Sequence, residues 1–600
     1  MCGLVGFCDY SKSSNESILK SMLKMISHRG PDDEGIHFYK ESNCNIALGH
    51  RRLSIIDLSF DGHQPMSYDN LDILFNGEIY NYKDIKNELL KYNYSFNSSS
   101  DTEVILKAFH KWGVKFLDKL NGMFAISIYD KKSQKIYLFR DRVGIKPMHW
   151  FFNGDSFIYG SELKSFYKYP NFKKELNKNA IVEYFHKGYI AQDRTIFKNC
   201  HKLKKAHYLE YDIKKKDIKI TKYWDVDITN EISDEKYALS KLDMLINNSV
   251  KLRLIADVNV GSFLSGGIDS SLVTAIAQKN YTKKIKTFTI GFNNKKYDES
   301  IYAKDVAKYL NTEHYDYFVT QDDFKDIIKD IALILDEPMA DSSIIPTTIL
   351  SNFTKQKVKV SLSADGGDEL FGGYISYQNA LNLHSKKNLT KLLKPIFLLK
   401  LKNRKYNRLK SLVDAKTILD FHTFYSAKFT NSDLTQMFKF KLQNSNDNNN
   451  YSGIDKLLYK DFNNTLPEQL LLKVDRATMF ASLEGRVPLL DHNIVEFVYK
   501  LDSKFRTNKD LLKKLAYSYI PQKLLDRPKK GFRVPLEELL KYSDYKRFFQ
   551  KEFIIKQNLF NFEYIKYLDN SFRKNSYNSS QIWTYLIFQI WYEYWEIGKR

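Results

Sequence analysis

The stretch VNVGSFLSGGIDSSLVTAIAQ, residues 258–278, decides how the second half of this chain folds. Val258 to Leu264 is an apolar run of the length of one buried strand. Ser265-Gly266-Gly267 follows as a turn, and Ser270 to Gln278 reads as a helix. Two glycines let the backbone come close to an anion, and the helix N-terminus adds N–H groups and the positive end of its dipole. Ser265, Ser270 and Ser271 add hydroxyl donors. Asp269 beside a phosphate implies a cation and points to Mg2+. The spacing is not that of the GxxxxGK[ST] phosphate loop.

The same alternation extends outward. A helix over Glu235 to Leu252 precedes the stretch, and apolar runs at Lys286 to Ile290 and Lys357 to Leu362 follow it. Strands alternating with helices predict a doubly wound parallel sheet. The third run leads into Ser363-Ala364-Asp365-Gly366-Gly367-Asp368-Glu369, three acids among paired glycines, which suits a divalent cation or a reacting acyl centre. The last 200 residues are mostly helical in pattern, and the Asn-rich Gln443 to Asn450 reads as a mobile loop.

The first 212 residues read differently. Short strand signals recur at Ile46 to Leu48, Leu71 to Phe75, Phe124 to Tyr129, Lys135 to Phe139 and Phe157 to Tyr159. Asn76-Gly77 and Asn153-Gly154 read as turns between them, and helices are expected over Glu16 to Ile26 and Thr102 to Lys111. Lys214 to Asn230 is polar and reads as the junction between domains. A chain of 600 residues exceeds one hydrophobic core, so two or more domains are expected. We place them at 1–213 and 236–600.

Composition excludes several classes. The most apolar stretch, Ile582 to Trp595, is broken by Gln589 and Glu593 and reads as a buried helix, not a membrane span. No signal-peptide pattern opens the chain, and four cysteines without a CxxC pair argue against a disulfide framework or structural zinc. A cytoplasmic location is expected. The formal charge of +22 is spread along the chain, and runs such as Lys202 to Lys205 and Lys214 to Lys216 are short and read as polar connections. Neither nucleic acid nor membrane is expected as a partner.

Cys2 stands directly after Met1. Removal of Met1 would leave an α-amine of pKa roughly 7.7–8.0, a base next to its own thiol. Four later segments supply what a glutamine pocket needs: His28-Arg29-Gly30-Pro31-Asp32, Arg52-Leu53-Ser54-Ile55, Asn76-Gly77-Glu78-Ile79-Tyr80-Asn81 and Ser100-Asp101-Thr102-Glu103. An arginine pairs with a substrate carboxylate, carboxylates hold its ammonium, and an amide with a backbone N–H stabilises an oxyanion.

In this order, with Arg140 to Pro147 and Gly160 to Lys164, these segments resemble class II glutamine amidotransferase domains, the N-terminal-nucleophile hydrolases. The resemblance implies an αββα sandwich in which Cys2 is the nucleophile and Asn76 and Gly77 form the oxyanion hole. It makes Arg52, Leu53, Ile55, Asn76, Gly77, Glu78 and Asp101 the glutamine ligands. The 265–271 and 363–374 segments, with Asp336-Glu337-Pro338, Leu472 to Arg476, Ser482 to Asp491 and Arg527 to Phe532, resemble the ATP-pyrophosphatase-type domain of asparagine synthetases. Carried over, Leu264, Ser265, Gly266, Gly267, Asp269, Ser270, Ile290, Ser363, Ala364 and Lys529 (or its neighbour Lys530) contact ATP. Asp269 and Asp368 hold Mg2+, and Asp365 assists formation of the acyl-adenylate. Many members have Glu where Asp365 stands and Gly where Ala364 stands.

The reaction so implied has two halves: Cys2 frees ammonia from glutamine, and ammonia displaces AMP from a carboxylate activated by ATP. Arg29 and Met123 would lie near an enclosed path between the sites. Aspartate is the leading acceptor, through Asp341 to Pro346, although Ile345 stands where some members carry an Arg. Another carboxylate, such as a uronic acid of a surface polysaccharide, is the runner-up. A non-catalytic regulatory subunit is the third reading, against which Cys2 and Asp269 argue. A homodimer is left open.

Overall fold

The computed structural model describes residues 2–191, 193–294, 297–388, 404–440, 451–527, 536–541, 545–575 and 578–597. The first part builds two antiparallel sheets. One has the order β10-β8-β9-β1-β3-β2, from β1 (Gly3–Asp9), β2 (Asp33–Lys40), β3 (Asn45–Arg52), β8 (His149–Phe152), β9 (Ser156–Gly160) and β10 (Cys200–Lys202). The other has the order β12-β11-β7-β6-β5-β4, from β4 (Met66–Tyr68), β5 (Leu71–Ile79), β6 (Gly122–Asp130), β7 (Lys135–Arg140), β11 (His207–Asp212) and β12 (Asp217–Lys222).

Strand alternation fixes the layering, since successive side chains point to opposite faces. Leu4 and Cys8 of β1 pack with Ala125 and Tyr129 of β6 between the sheets. Val5 and Phe7 pack outward on Leu19, Met22 and Leu23 of the helix Glu16–Lys24. Phe124, Ile126 and Ile128 pack outward on the helices Tyr82–Leu90 and Asp101–Trp112. The result is the expected αββα sandwich. Ser100 caps the last of these helices by accepting the Thr102 N–H at 3.1 Å.

Two local expectations change. Asn76-Gly77 is not a turn: β5 continues through it to Ile79, because Asn76 and Gly77 pair with Ala125 and Phe124 of β6. The Lys214–Asn230 stretch is not all linker either, since β12 pairs with β11 and carries the second sheet to Lys222.

The second half holds a five-stranded parallel sheet of order β15-β14-β13-β16-β17, from β13 (Val260–Phe263), β14 (Lys286–Phe292), β15 (Glu313–Val319), β16 (Val360–Leu362) and β17 (Glu484–Arg486). The helices Glu235–Arg253, Ile268–Asn280 and Ser300–Leu310 share one apolar cluster, and the helices Gln321–Ile334 and Ile344–Lys355 share another. The sheet is therefore doubly wound. Beyond β16 the regular elements of the described residues are helices apart from β17 and isolated bridges. The helix Ser579–Tyr594 is buried as expected, and it does more than fill space: Trp591 Nε1 donates to the Asp336 carbonyl at 3.0 Å and Tyr184 OH to the Thr584 carbonyl at 2.8 Å. Among the described residues no helix is long and apolar enough to cross a membrane. The Gln443–Asn450 expectation lies outside the described residues.

Candidate functional site

Cys2 precedes β1 and is buried. Its N–H donates to Asn76 Oδ1 at 3.0 Å, across the gap between the two sheets. With its oxygen so engaged, the Asn76 amide presents Nδ2, which is buried and has no hydrogen-bond partner among the described residues. A buried unpaired donor beside a thiol is costly unless a ligand completes it. An oxyanion at that point would do so. Burial pushes the Cys2 thiol up, opposed by the Leu53 N–H and the Arg52 charge. Leu53 and Ile55 are buried in one apolar cluster.

Arg52 is tied back by its own loop, its Nη1 donating to the Ser59 carbonyl at 2.8 Å and Nη2 to the Asp57 carbonyl. Glu78 and Asp101 are both buried, and the Asp101 charge acts on Glu78. Burial raises Asp101 to about 7, with the Ile79 N–H donating to its Oδ2 at 2.9 Å in opposition. Burial, then the Glu484 charge, raises Glu78, whose Oε2 has no hydrogen-bond partner among the described residues. A substrate ammonium would supply the missing donor.

At the carboxyl ends of the parallel strands, where doubly wound sheets take ligands, the other residues meet. Leu264 and Ile290 are buried, and Ser363 follows β16 beside them. Gly266 has φ +74, and a Cβ there would lie 2.7 Å from the Tyr302 carbonyl carbon, so the loop needs glycine. Ser265 and Ser270 hydroxyls meet at 3.0 Å, and the Gly267 N–H donates to Ser265 Oγ at 3.3 Å. Ser363 Oγ donates to Asp365 Oδ2 at 2.5 Å; Ala364 lies between them. Lys529 and Lys530 lie outside the described residues.

Asp269 and Asp368 do converge on one cation. It is Lys509, whose Nζ lies 2.8 Å from Asp368 Oδ1 and contacts Asp269 Oδ2 as well. A Cβ on Gly367 would press to 2.7 Å of Asp269 Cγ, and one on Gly373 would overlap Asp368 and Lys509, so both glycines keep this point open. Two carboxylates aimed at one point fit Mg2+, which takes one or two protein carboxylates and completes its shell with water and phosphate. Among the described residues no group of three or more His, Cys, Asp or Glu is placed to hold a metal.

Lys509, Arg527 and Glu369 carried no individual role from sequence, whereas Arg29 and Met123 were expected near the path between the sites. Lys509 had no local signal. Arg527 clamps the loop, donating to the Gly266 and Ser265 carbonyls at 3.1 and 2.9 Å and pairing with Glu299 at 2.9 Å. Glu369 is buried against Tyr374 OH, and burial raises it to about 7. Arg29 Nε donates to the Cys2 carbonyl at 3.0 Å while its guanidinium pairs with Glu162 and Asp475. Met123 is buried in an apolar cluster that runs from Leu53, Ile55 and Val143 to Leu264, Val487 and Leu489, joining the two halves. Lys202 and Lys205, read as polar connection, are buried: Lys202 lies in β10 at 2.6 Å from Glu337, and Lys205 Nζ sits 3.2 Å from the centre of the Phe462 ring. Strand pairing and an ion pair, invisible in a lysine run, place Lys202 inside, and the Phe462 ring covers Lys205.

The halves correspond to known families. Asparagine synthase matches residues 241–593, and the glutamine amidotransferase domain matches residues 1–224. The chain is 33% identical to glutamine-hydrolysing asparagine synthetase 1 of Bacillus subtilis, covering 100% of this chain and 98% of that protein. It is 37% identical to a Methanocaldococcus jannaschii protein provisionally named glutamine-hydrolysing asparagine synthetase 2, over 80% of this chain and 98% of the relative. It is also 25% identical to the amidase chyE of Penicillium rubens, over 89% of each. A two-sheet sandwich with a buried cysteine, joined to a parallel sheet that gathers two aspartates behind a glycine loop, and these matches over nearly the whole length, place the chain in the asparagine synthase family.

Proposed function

We infer that the protein is a ligase that takes nitrogen from glutamine and forms asparagine from aspartate at the expense of ATP, releasing AMP and pyrophosphate. The observation that carries the first half is the unpartnered Asn76 Nδ2 beside Cys2. Once Met1 is removed, the Cys2 nitrogen becomes an amine that Asn76 Oδ1 can hold as the base for its own thiol. The thiolate attacks the glutamine amide carbon, Asn76 Nδ2 and the Gly77 N–H receive the oxyanion, and ammonia leaves a thioester that water hydrolyses. Glu78 and Asp101 hold the α-ammonium.

In the second half the acceptor carboxylate attacks the α-phosphorus of ATP, and ammonia then displaces AMP. Bound Mg2+ would neutralise phosphate charge there. Asp269 and Asp368 would hold it, Lys509 would turn from their counter-ion toward the phosphates, and Arg527 keeps the glycine loop in shape. Ser363 fixes the Asp365 carboxylate beside the reacting centre. The Met123 cluster keeps water away between the halves.

Aspartate is the acceptor we favour. Ile345 is fully buried and offers no charge, but Asp341, although burial opposes it, is held below the usual carboxylate range by the Lys473 charge, by the Ser343 hydroxyl and N–H, and then by the Lys428 charge. Those lysines would supply the cations an acidic substrate needs. A different carboxylate, such as a uronic acid, is the second reading, favoured by that same Ile345. Incubation with ATP, Mg2+ and glutamine, with AMP measured against a panel of carboxylates, separates them. Aspartate-dependent AMP and asparagine support the first; AMP with a uronic acid alone overturns it.

A further inference from the structure

Strand β17 belongs to the parallel sheet, yet its side chains reach the pocket around Cys2. Glu484 and Arg486 are fully buried. Arg486 Nε donates to Glu484 Oε1 at 2.6 Å, and Nη2 lies 3.4 Å from Glu78 Oε1 on the sandwich. Nη1 donates to the carbonyls of Arg253 and Ile255 at 2.9 and 2.6 Å. The planar guanidinium is thus held on three sides, which leaves it little freedom to turn without its backbone. That backbone serves the other site. β17 pairs with β16 at Leu362 and Arg486, and the Arg486 carbonyl accepts the Ser363 N–H at 2.7 Å. Ser363 Oγ in turn holds Asp365. One residue therefore touches Glu78 with its side chain and the Ser363–Asp365 turn with its main chain.

We propose that Arg486 is a positioning residue shared by the two sites: its side chain sets Glu78 for the ammonium of glutamine, its carbonyl sets the turn that carries Asp365, and filling one site changes the affinity of the other. This rests on the reading of Glu78 as a glutamine ligand. An arriving ammonium competes with the guanidinium for Glu78, and Arg486 yields toward Glu484. Close-packed interiors pass such shifts on instead of absorbing them. Linkage makes the effect reciprocal, so ATP must alter glutamine binding by the factor by which glutamine alters ATP binding.

The test is titration calorimetry on the full chain carrying Cys2→Ala, which prevents turnover. Glutamine is titrated with and without saturating ATP·Mg2+, and ATP·Mg2+ with and without glutamine. The expected result is a shift of each Kd by about 5-fold or more, equal in the two directions. Added Arg486→Lys is expected to abolish that ratio, whatever it does to the separate affinities; a loss of packing alone would not cancel a ratio. If Arg486→Lys fails to give a cooperative melt, the isosteric Glu484→Gln is used, and the ratio should shrink. Glutamine binding that ignores ATP·Mg2+, or a ratio that survives the substitution, overturns the proposal while leaving the pocket intact. Absence of glutamine binding overturns the pocket reading, and the coupling with it.

Discussion

Arg29 and Asp475, 446 residues apart, face each other in a two-pronged ion pair, with Nη1 at 2.8 Å from Oδ2 and Nη2 at 3.0 Å from Oδ1. Both side chains are buried, and the same arginine holds the Cys2 carbonyl. The contact fastens the sandwich to the helix Leu472–Phe480 of the other half. Asp475→Ala leaves a buried guanidinium with Glu162 as its remaining close carboxylate. The expected loss is about 3 kcal/mol, at the low end for a broken buried pair because Glu162 still faces it. Urea denaturation measures it, and Arg29→Met with Asp475→Leu should recover part of the loss, since apolar replacement of both partners is often tolerated.

Cys2→Ala should abolish glutamate release yet leave amide formation from ammonium salts, because the synthetic half lies at the other sheet. Assays with each nitrogen source decide it; equal loss of both would contradict two separate sites. Mass spectrometry of active protein should find Met1 removed.

Asn76→Ala removes both the acceptor for the Cys2 nitrogen and the unpartnered Nδ2 donor. The expected fall in glutamine-dependent kcat is ~100- to 1,000-fold, the range for one oxyanion donor. Ammonia-dependent turnover measured on the same preparation controls for folding.

Asp269→Asn should remove pyrophosphate release with either nitrogen source. Lys509→Met tests the same point without turnover. It strips the cation from two close carboxylates, so the apparent Tm should fall, and millimolar Mg2+ should restore more of it than it adds to the unaltered protein. An equal Mg2+ effect on both would argue against a cation site there.

Asp101 gives a pH signature. Its carboxyl is raised in the fold from 3.8 to about 7. Between those values the folded chain holds a proton that the unfolded chain has released. This group's contribution to stability therefore declines as pH rises from about 4 to about 7 and is level above. Asp101→Asn should flatten that part of the pH–stability curve, measured by urea midpoints from pH 4 to 8. Because an ammonium prefers the ionised carboxylate, the KM for glutamine should fall as pH rises through 7.

Residues close in sequence announced themselves. The apolar run, the paired glycines and the helix at 258–278 gave the parallel sheet and its loop, since strand length, turn chemistry and helix capping act over a few residues. Cys2, Asn76, Glu78 and Asp101 were visible as chemistry in short segments. What local pattern could not convey was pairing across distance. Asn76-Gly77 has turn composition, yet β6 supplies the hydrogen bonds that keep it a strand. Lys202 looks solvated beside its neighbours, yet Glu337 and Glu468 draw it inside. Lys509 joins Asp269 across 240 residues. Burial is a property of the assembled fold: it lowers the dielectric around a charge, makes an unpaired one expensive, and so dictates which distant partner it must find.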